Sequence, residues 1–276
     1  MNTHISELKT TGFVMLDYPS DLRSAVEKTV ELWKRFCALP VEVKKGLPYS
    51  NGGDGVGYEL KEGIGNKADR KENFDITTEG EAWFLKNIDT IENPVAIEFV
   101  KSATALVAVM KPTILEFASQ AEAEFGLEGF AKEVEESEAG FFTRFIHYFG
   151  DRDVGEETAT AHTDQSGFTL HLFENAEGLQ CLTYDMKWID MPVSSGRTVI
   201  IPSMQMQLRS RGELTALCHR VIATERTAHE GRYSAVCFVQ LKRTPRYDKE
   251  KGGRLQEKEP GFNYGMTHEE FATLFK

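Results

Sequence analysis

Phe141-Phe142-Thr143-Arg144-Phe145-Ile146-His147-Tyr148-Phe149 contains no glycine or proline and is dominated by aromatic and β-branched side chains. Such residues pack well on a pleated surface, so the stretch predicts a β-strand. Further β-like runs follow at Gly167–Leu172, Gly178–Tyr184, Arg197–Pro202, Cys218–Thr224 and Arg232–Leu241, with turn-forming residues between them. Many short strands without intervening helices fit a sandwich or jelly roll better than a parallel sheet. The alternation of Met204 and Met206 with Gln205 and Gln207 reads as one more strand, with an apolar and a polar face.

Upstream of this block the chain reads mainly as helix. Ser20 is a plausible N-cap, and Leu22, Val26, Val30, Trp33 and Phe36 recur at spacings of three and four. Leu39-Pro40 ends that helix, because a residue before proline disfavours the helical region. A second helical region runs from Asn93 to Phe125, with Pro112 expected to kink or divide it. The Gly-rich stretch Asn51–Gly57 lacks the lysine and Ser/Thr of a phosphate-binding loop and reads as a flexible loop. At the far end, Thr267 to Glu270 resembles a capping box before Phe271, Leu274 and Phe275. The organisation expected is one domain: a helical part over 1–138, a β-rich core over 139–245, and a C-terminal segment over 246–276.

Charge and cysteine usage narrow the function classes. The 276 residues carry 32 Lys plus Arg against 43 Asp plus Glu, a formal net charge of −11. A duplex-DNA or polyanion binder needs a basic face, so nucleic-acid partners are not expected. Cys37, Cys181, Cys218 and Cys237 form no CxxC pair and no paired zinc spacing. Neither a secretory signal nor an apolar run long enough for a bilayer is visible, so the expectation is a cytoplasmic protein without membrane partners.

Five of the seven histidines lie in the β-rich block. His162-Thr163-Asp164 sets an imidazole and a carboxylate at i and i+2, which on a strand share one face and can reach one ion. His219 follows 57 residues later and could supply a third ligand. Two histidines and one carboxylate on one face of a metal leave the other face open, the arrangement of non-haem Fe(II) oxygenases. Taken singly, His162 and Asp164 equally suit a hydrogen-bonded surface turn, and His219 a half-buried strand histidine. Downstream, Arg232 and Ser234 would share a strand face, where a guanidinium and a hydroxyl can hold a carboxylate. The order and spacing of the three groups, not any one of them, carry the signal.

With these motifs the sequence resembles the Fe(II)- and 2-oxoglutarate-dependent dioxygenases, in the branch that includes isopenicillin N synthase and plant flavonoid and gibberellin oxidases. His162-Thr163-Asp164 matches the family's His-x-Asp, His219-Arg220 its distal His-Arg, and Arg232-Tyr233-Ser234 its Arg-x-Ser. Glu177-Gly178-Leu179-Gln180 and Lys187-Trp188-Ile189 resemble the stretches between them, and Arg144 to Phe149 stands at the family's Arg-Leu-Asn-Tyr-Tyr-Pro strand. Phe36 to Pro40 with Lys44, Gly57-Tyr58 and Asp69 to Phe74 look like its N-terminal landmarks. There are departures. Ile146 and Phe149 replace the asparagine and proline, and Ser203-Met204 replaces a Gly-Asp. The interval from His219 to Arg232 is longer than usual, which suggests an extended hairpin around Thr227 to Gly231.

The resemblance implies a β-rich α+β protein, with a double-stranded β-helix (jelly roll, cupin-like) core and N-terminal and flanking helices. It implies Fe(II) held by His162, Asp164 and His219, with no catalytic residue beyond these ligands. It also implies 2-oxoglutarate as co-substrate, bound by Arg232, Ser234 and Tyr148, with O₂ as oxidant and ascorbate as an activator. The substrate would be a small molecule, oxidised by hydroxylation, desaturation or ring closure with release of succinate and CO₂, on a monomeric enzyme. A retained carboxylate at Asp164 argues against halogenation. Arg144, Tyr58 and Phe74 are the candidate substrate contacts, although a salt bridge for Arg144 and core roles for the other two fit as well. His147 and His171 read as structural, and residues 246–276 as a possible lid. Two alternatives stay open: an isopenicillin N synthase-like oxidase that does not use 2-oxoglutarate, and a non-catalytic jelly-roll binding protein.

Overall fold

The computed structural model describes residues 5–47, 49, 56–62, 70–137, 140–183, 185–193, 196–210 and 212–241. The expected C-terminal helix and lid, and most of the Gly-rich stretch, lie outside these residues. Among the described residues, eleven strands form two antiparallel sheets. They are β1 (Val14–Asp17), β2 (Gly57–Lys61), β3 (Lys71–Thr77), β4 (Phe141–Tyr148), β5 (Glu157–His162), β6 (Phe168–Glu174), β7 (Leu179–Leu182), β8 (Trp188–Asp190), β9 (Arg197–Pro202), β10 (His219–Ile222) and β11 (Arg232–Val239). The larger sheet has the order β1-β9-β6-β11-β4-β3-β2, and the smaller β5-β10-β7-β8. The helices are α1 (Ser20–Cys37), α2 (Val41–Lys45), α3 (Gly80–Asn87), α4 (Pro94–Phe125), α5 (Phe130–Glu136), α6 (Met204–Arg209) and α7 (Thr227–Glu230). None of the described helices is long and apolar enough to cross a membrane.

Each face of the larger sheet has its own partner. One face packs on α1 and α4, where Trp33, Phe36, Phe74, Phe99 and Phe145 interlock with ring centroids 5.1–6.2 Å apart. Apolar burial on this scale is the main stabilising contribution. The other face meets the smaller sheet across a second, smaller apolar cluster that includes Ile146, Tyr148, Leu179, Val221 and Val236. The gap between the two sheets is where side chains of both can converge.

Several expectations change against this frame. The N-terminal part is not simply helical: β1, β2 and β3 join the larger sheet. Their short runs contain Lys71, Glu72, Asn73 and Asp75, which hide the strand signal. Pro112 does not divide α4, a 32-residue helix. Pro112 and Ala108 both face solvent, so the carbonyl that loses its partner is free to bond water. Pro19, at φ −54°, takes the N-cap place expected for Ser20, and the helix starts at Ser20 itself. For α4, Asn93 Oδ1 accepts from the Val95 and Ala96 amides at 2.9 and 3.3 Å. Met204–Arg209 is helix, not strand. Its alternating glutamines are all buried, and they bond backbone: Gln205 to Leu241 in both directions and Gln207 to the Ala216 amide. The anticipated long hairpin is instead the short helix α7.

One buried charge cluster ties helices to sheet. Glu72 on β3 accepts from Lys44 Nζ at 2.6 Å and Tyr58 Oη at 2.7 Å, and meets His147 Nδ1 at 2.8 Å. Burial by itself would raise the Glu72 carboxyl, but these partners prevail and lower it to about 2. A carboxyl depressed from its ordinary 4.5 contributes stability that is present above pH 4.5 and is lost as pH falls through about 2. The unfolding midpoint in urea should therefore decline across that window, and Glu72→Gln should flatten the decline. An equally steep decline in the variant would show that other carboxylates dominate acid unfolding.

Candidate active site

The smaller sheet brings the first three predicted residues together. β10 pairs with β5 so that His219 stands opposite His162, while its other edge pairs with Cys181 of β7. Arg220 steadies this strand from outside: it bonds Gln180 and Glu157 at 2.9 and 3.0 Å and stacks 4.2 Å from the Trp188 ring centroid. Asp164 lies just beyond β5, in a turn fixed by the first residues of α6. The Met204 amide donates to the Asp164 carbonyl and the Gln205 amide to the Ser166 carbonyl, both at 2.9 Å.

Hydrogen bonding sets which atoms face inward. His162 Nδ1 lies 2.7 Å from the Thr160 carbonyl, and His219 Nδ1 lies 3.1 Å from the Leu217 carbonyl. A carbonyl can only accept, so each Nδ1 carries a proton, and in the neutral ring it is Nε2 that presents the lone pair. Both Nε2 atoms point at Asp164 Oδ1, at 3.6 and 3.9 Å. The other carboxylate oxygen, Oδ2, accepts from Thr169 Oγ1 at 2.6 Å. Ligand atoms of His162, Asp164 and His219 all lie within 4.8 Å of one another. Two neutral imidazole nitrogens and a carboxylate oxygen suit a first-row divalent metal, and the donor set fits Fe(II). Thr169 is then the outer hydrogen bond that orients a ligand.

Electrostatics agree with this protonation. Burial holds the His219 imidazole below its ordinary value, against the pull of Asp164, so the ring is neutral. Burial would raise the Asp164 carboxyl, but His219, His162 and Thr169 together bring it below its ordinary value. His162 is the exposed member, with 45% of its side chain accessible, and marks the open edge of the site.

Across the gap, β11 supplies the proposed clamp. Arg232, Ser234, Val236 and Phe238 alternate toward the smaller sheet and line the same cavity as the two histidines and Asp164. Arg232 stands opposite Tyr148 of β4 in register, and both are buried. Burial pushes the Tyr148 phenol up to about 12, with Arg232 pulling it back, so it remains a hydrogen-bond donor. Gly231, at φ +77°, lets the chain enter β11 here; a Cβ would sit 2.6 Å from the Tyr148 carbonyl.

The candidate substrate contacts fall elsewhere. Phe74 and Tyr58 belong to the aromatic cluster under the helices, with the Tyr58 hydroxyl committed to Glu72. Arg144 forms a two-pronged pair with fully buried Asp75 at 2.7 and 2.8 Å. None of the three lines the cavity beside the histidines. His147 is bonded to Glu72 and stacked on Tyr233 at 4.1 Å, on the helix side. His171, expected to be structural, instead lines the cavity with its ring edge-on to His219 at 5.7 Å. Thr169 and Glu174 also line it and were not singled out in the sequence. A strict two-residue alternation from Asp164's partner Thr169 would have found His171, but not Glu174.

Comparison with known proteins agrees with this geometry. Residues 141–241 match the family model described as the 2OG-Fe(II) oxygenase superfamily. A 2-oxoglutarate-dependent dioxygenase of Didymella fabae is 27% identical over 260 residues, covering 83% of this chain and 76% of that protein. A putative 2OG-Fe(II) oxygenase family protein from Caulobacter crescentus superposes with a TM-score of 0.70 at 24% identity, covering 87% of this chain and 80% of its own. A full-length Neurospora crassa protein, solved in complex with alpha-KG, gives 0.69 at 19% identity, covering 87% and 79%. At these identities the two solved structures establish a shared fold, the jelly roll. The matched residues span His162, Asp164, His219 and Arg232, so over this stretch the chain is similar to the 2OG-Fe(II) oxygenase superfamily.

Proposed function

We propose that the chain is an Fe(II)- and 2-oxoglutarate-dependent oxygenase of a small molecule, with His162, Asp164 and His219 as the metal ligands. The observation that carries this assignment is the convergence of two Nε2 atoms on Asp164 Oδ1, in a cavity that also contains Arg232. Iron, when bound, supplies O₂-dependent oxidation coupled to the conversion of 2-oxoglutarate to succinate and CO₂. The chain's own residues orient and exclude. The Thr160 and Leu217 carbonyls hold the two imidazoles in the ligating tautomer, and Thr169 fixes the rotation of the Asp164 carboxylate. Arg232 and Ser234 receive the distal carboxylate of 2-oxoglutarate, and Tyr148, still protonated, donates to it. Ile146, Val221 and Val236 wall the cavity against water, which strengthens each polar contact inside.

The net charge of −11 supports a small-molecule substrate over nucleic acid. Substrate enters at the exposed His162 edge. With Arg144, Tyr58 and Phe74 committed elsewhere, its contacts come from residues nearer that edge.

Two outcomes test the assignment. Thr169→Val, which keeps shape and removes the hydroxyl, should weaken Fe(II) binding by about 10- to 100-fold in anaerobic calorimetry. Unchanged affinity would remove Thr169 from the metal's support. Arg232→Ala should leave Fe(II) binding largely intact and raise the 2-oxoglutarate requirement about 30- to 150-fold, the loss of a charge-assisted contact. Turnover of substrate by the purified protein without 2-oxoglutarate would refute the co-substrate.

A further inference from the structure

The Arg232 guanidinium already has a carboxylate beside it, and the carboxylate is the chain's own. Along β6, Phe168 and Leu170 face the helices while Thr169 and His171 face the cavity. The pairing with β11 then slips. Val236 stands opposite His171, yet Ala235 stands opposite Phe173, which leaves Leu172 as an extra residue. Beyond this bulge the parity inverts: Phe173 packs against the helical core, and Glu174 points into the cavity opposite Ser234. Bulges beside a site commonly re-aim a side chain in this way.

Glu174 lies where an anionic ligand of Arg232 would lie. Its Oε2 is 2.5 Å from Arg232 Nη2, and its Oε1 is 3.0 Å from His171 Nδ1. The contact is not a two-pronged fork like that of Arg144 with Asp75. Arg232 Nε turns to the Ala176 carbonyl at 3.3 Å, and both Glu174 Oε2 and Arg232 Nη2 lack hydrogen-bond geometry with any partner. With Glu174 in place the cavity measures about 50 Å³, room for a few waters rather than a five-carbon dicarboxylate. Two carboxylates on one guanidinium, in a pocket this confined, would repel each other.

We propose that Glu174 is an intramolecular placeholder in the carboxylate clamp, which 2-oxoglutarate must displace from Arg232 in order to bind. It neutralises a guanidinium that is 2% exposed when no co-substrate is present. It also competes for that guanidinium, and so sets the co-substrate affinity lower than the clamp alone would allow. Glu174 is thus a specificity-determining residue: it penalises ligands that need Arg232 and leaves shorter 2-keto acids unaffected. This inference rests on the assignment of Arg232 to 2-oxoglutarate.

The test is anaerobic calorimetry on the full chain loaded with Fe(II), titrated with 2-oxoglutarate and separately with pyruvate, a 2-keto acid without the distal carboxylate. Glu174→Gln keeps the shape and removes the charge, and Glu174→Ser withdraws the side chain from Arg232. Both should bind 2-oxoglutarate about ten- to hundredfold more tightly than the parent, with pyruvate binding unchanged. Unchanged or weaker 2-oxoglutarate binding in both variants, with the thermal midpoint preserved, would overturn the proposal and make Glu174 a residue that orients Arg232. Equal tightening for pyruvate would overturn it too, since the effect would then act at the metal. Failure of the underlying assignment looks different: the parent and both variants would bind Fe(II), and none would take up 2-oxoglutarate.

Discussion

β11 is hydrogen-bonded on both sides in the middle of the larger sheet, and its register governs the rest of the site. Tyr233, Ala235, Cys237 and Val239 face the helices, while Arg232, Ser234, Val236 and Phe238 face the smaller sheet. A slip of one residue would turn Arg232 to the helix side and carry it away from Glu174. Register is therefore fixed by burial on both faces at once. That fixes Arg232 opposite Tyr148 and Ser234 opposite Glu174. The placement of Arg232 and Ser234 is thus a consequence of sheet packing.

The half that carries His162 and His219 obeys a similar rule in the smaller sheet. β10 is held between β5 and β7, so His219 cannot move without disturbing both ladders. Its ring is neutral because it is buried, and its proton is on Nδ1 because a backbone carbonyl sits there. Burial, tautomer and aim thus come from the same strand placement. The overall charge of −11 says nothing of this. A chain rich in surface carboxylate still concentrates three imidazoles and a guanidinium around one small cavity.

Much of this was legible in the sequence where local pattern and burial agree. The strand at 141–148, the helices at 20–37 and 94–125, and the His-x-Asp, His and Arg-x-Ser spacing all show in the residues themselves. What was hidden has physical causes. β3 is buried yet carries Glu72, Asn73 and Asp75, whose partners Lys44, Glu59 and Arg144 lie on other elements where no local pattern can show them. Met204–Arg209 alternates like a strand but is a helix buried from Met204 to Leu208, where Gln205 and the Gln207 side-chain oxygen bond backbone instead of water. Tyr58 and Phe74 stand at positions that resemble the family's N-terminal landmarks, yet their strand parity turns them to the helices.

Glu174 was hidden by a subtler device. Reading inward-facing residues from a strand assumes a period of two, and that period holds along β6 only up to His171. One inserted residue, Leu172, reverses every later position. The bulge cannot be seen in the run Phe168–Glu174, since it depends on how β11 pairs with it. Had the alternation continued, Phe173 would face Arg232 and leave a buried guanidinium without a counter-charge. The inversion exchanges that phenyl ring for a carboxylate, and it returns the ring to the apolar side where it packs against the helices. A single irregularity in the ladder thus meets two demands, apolar burial behind the sheet and charge compensation in front of it.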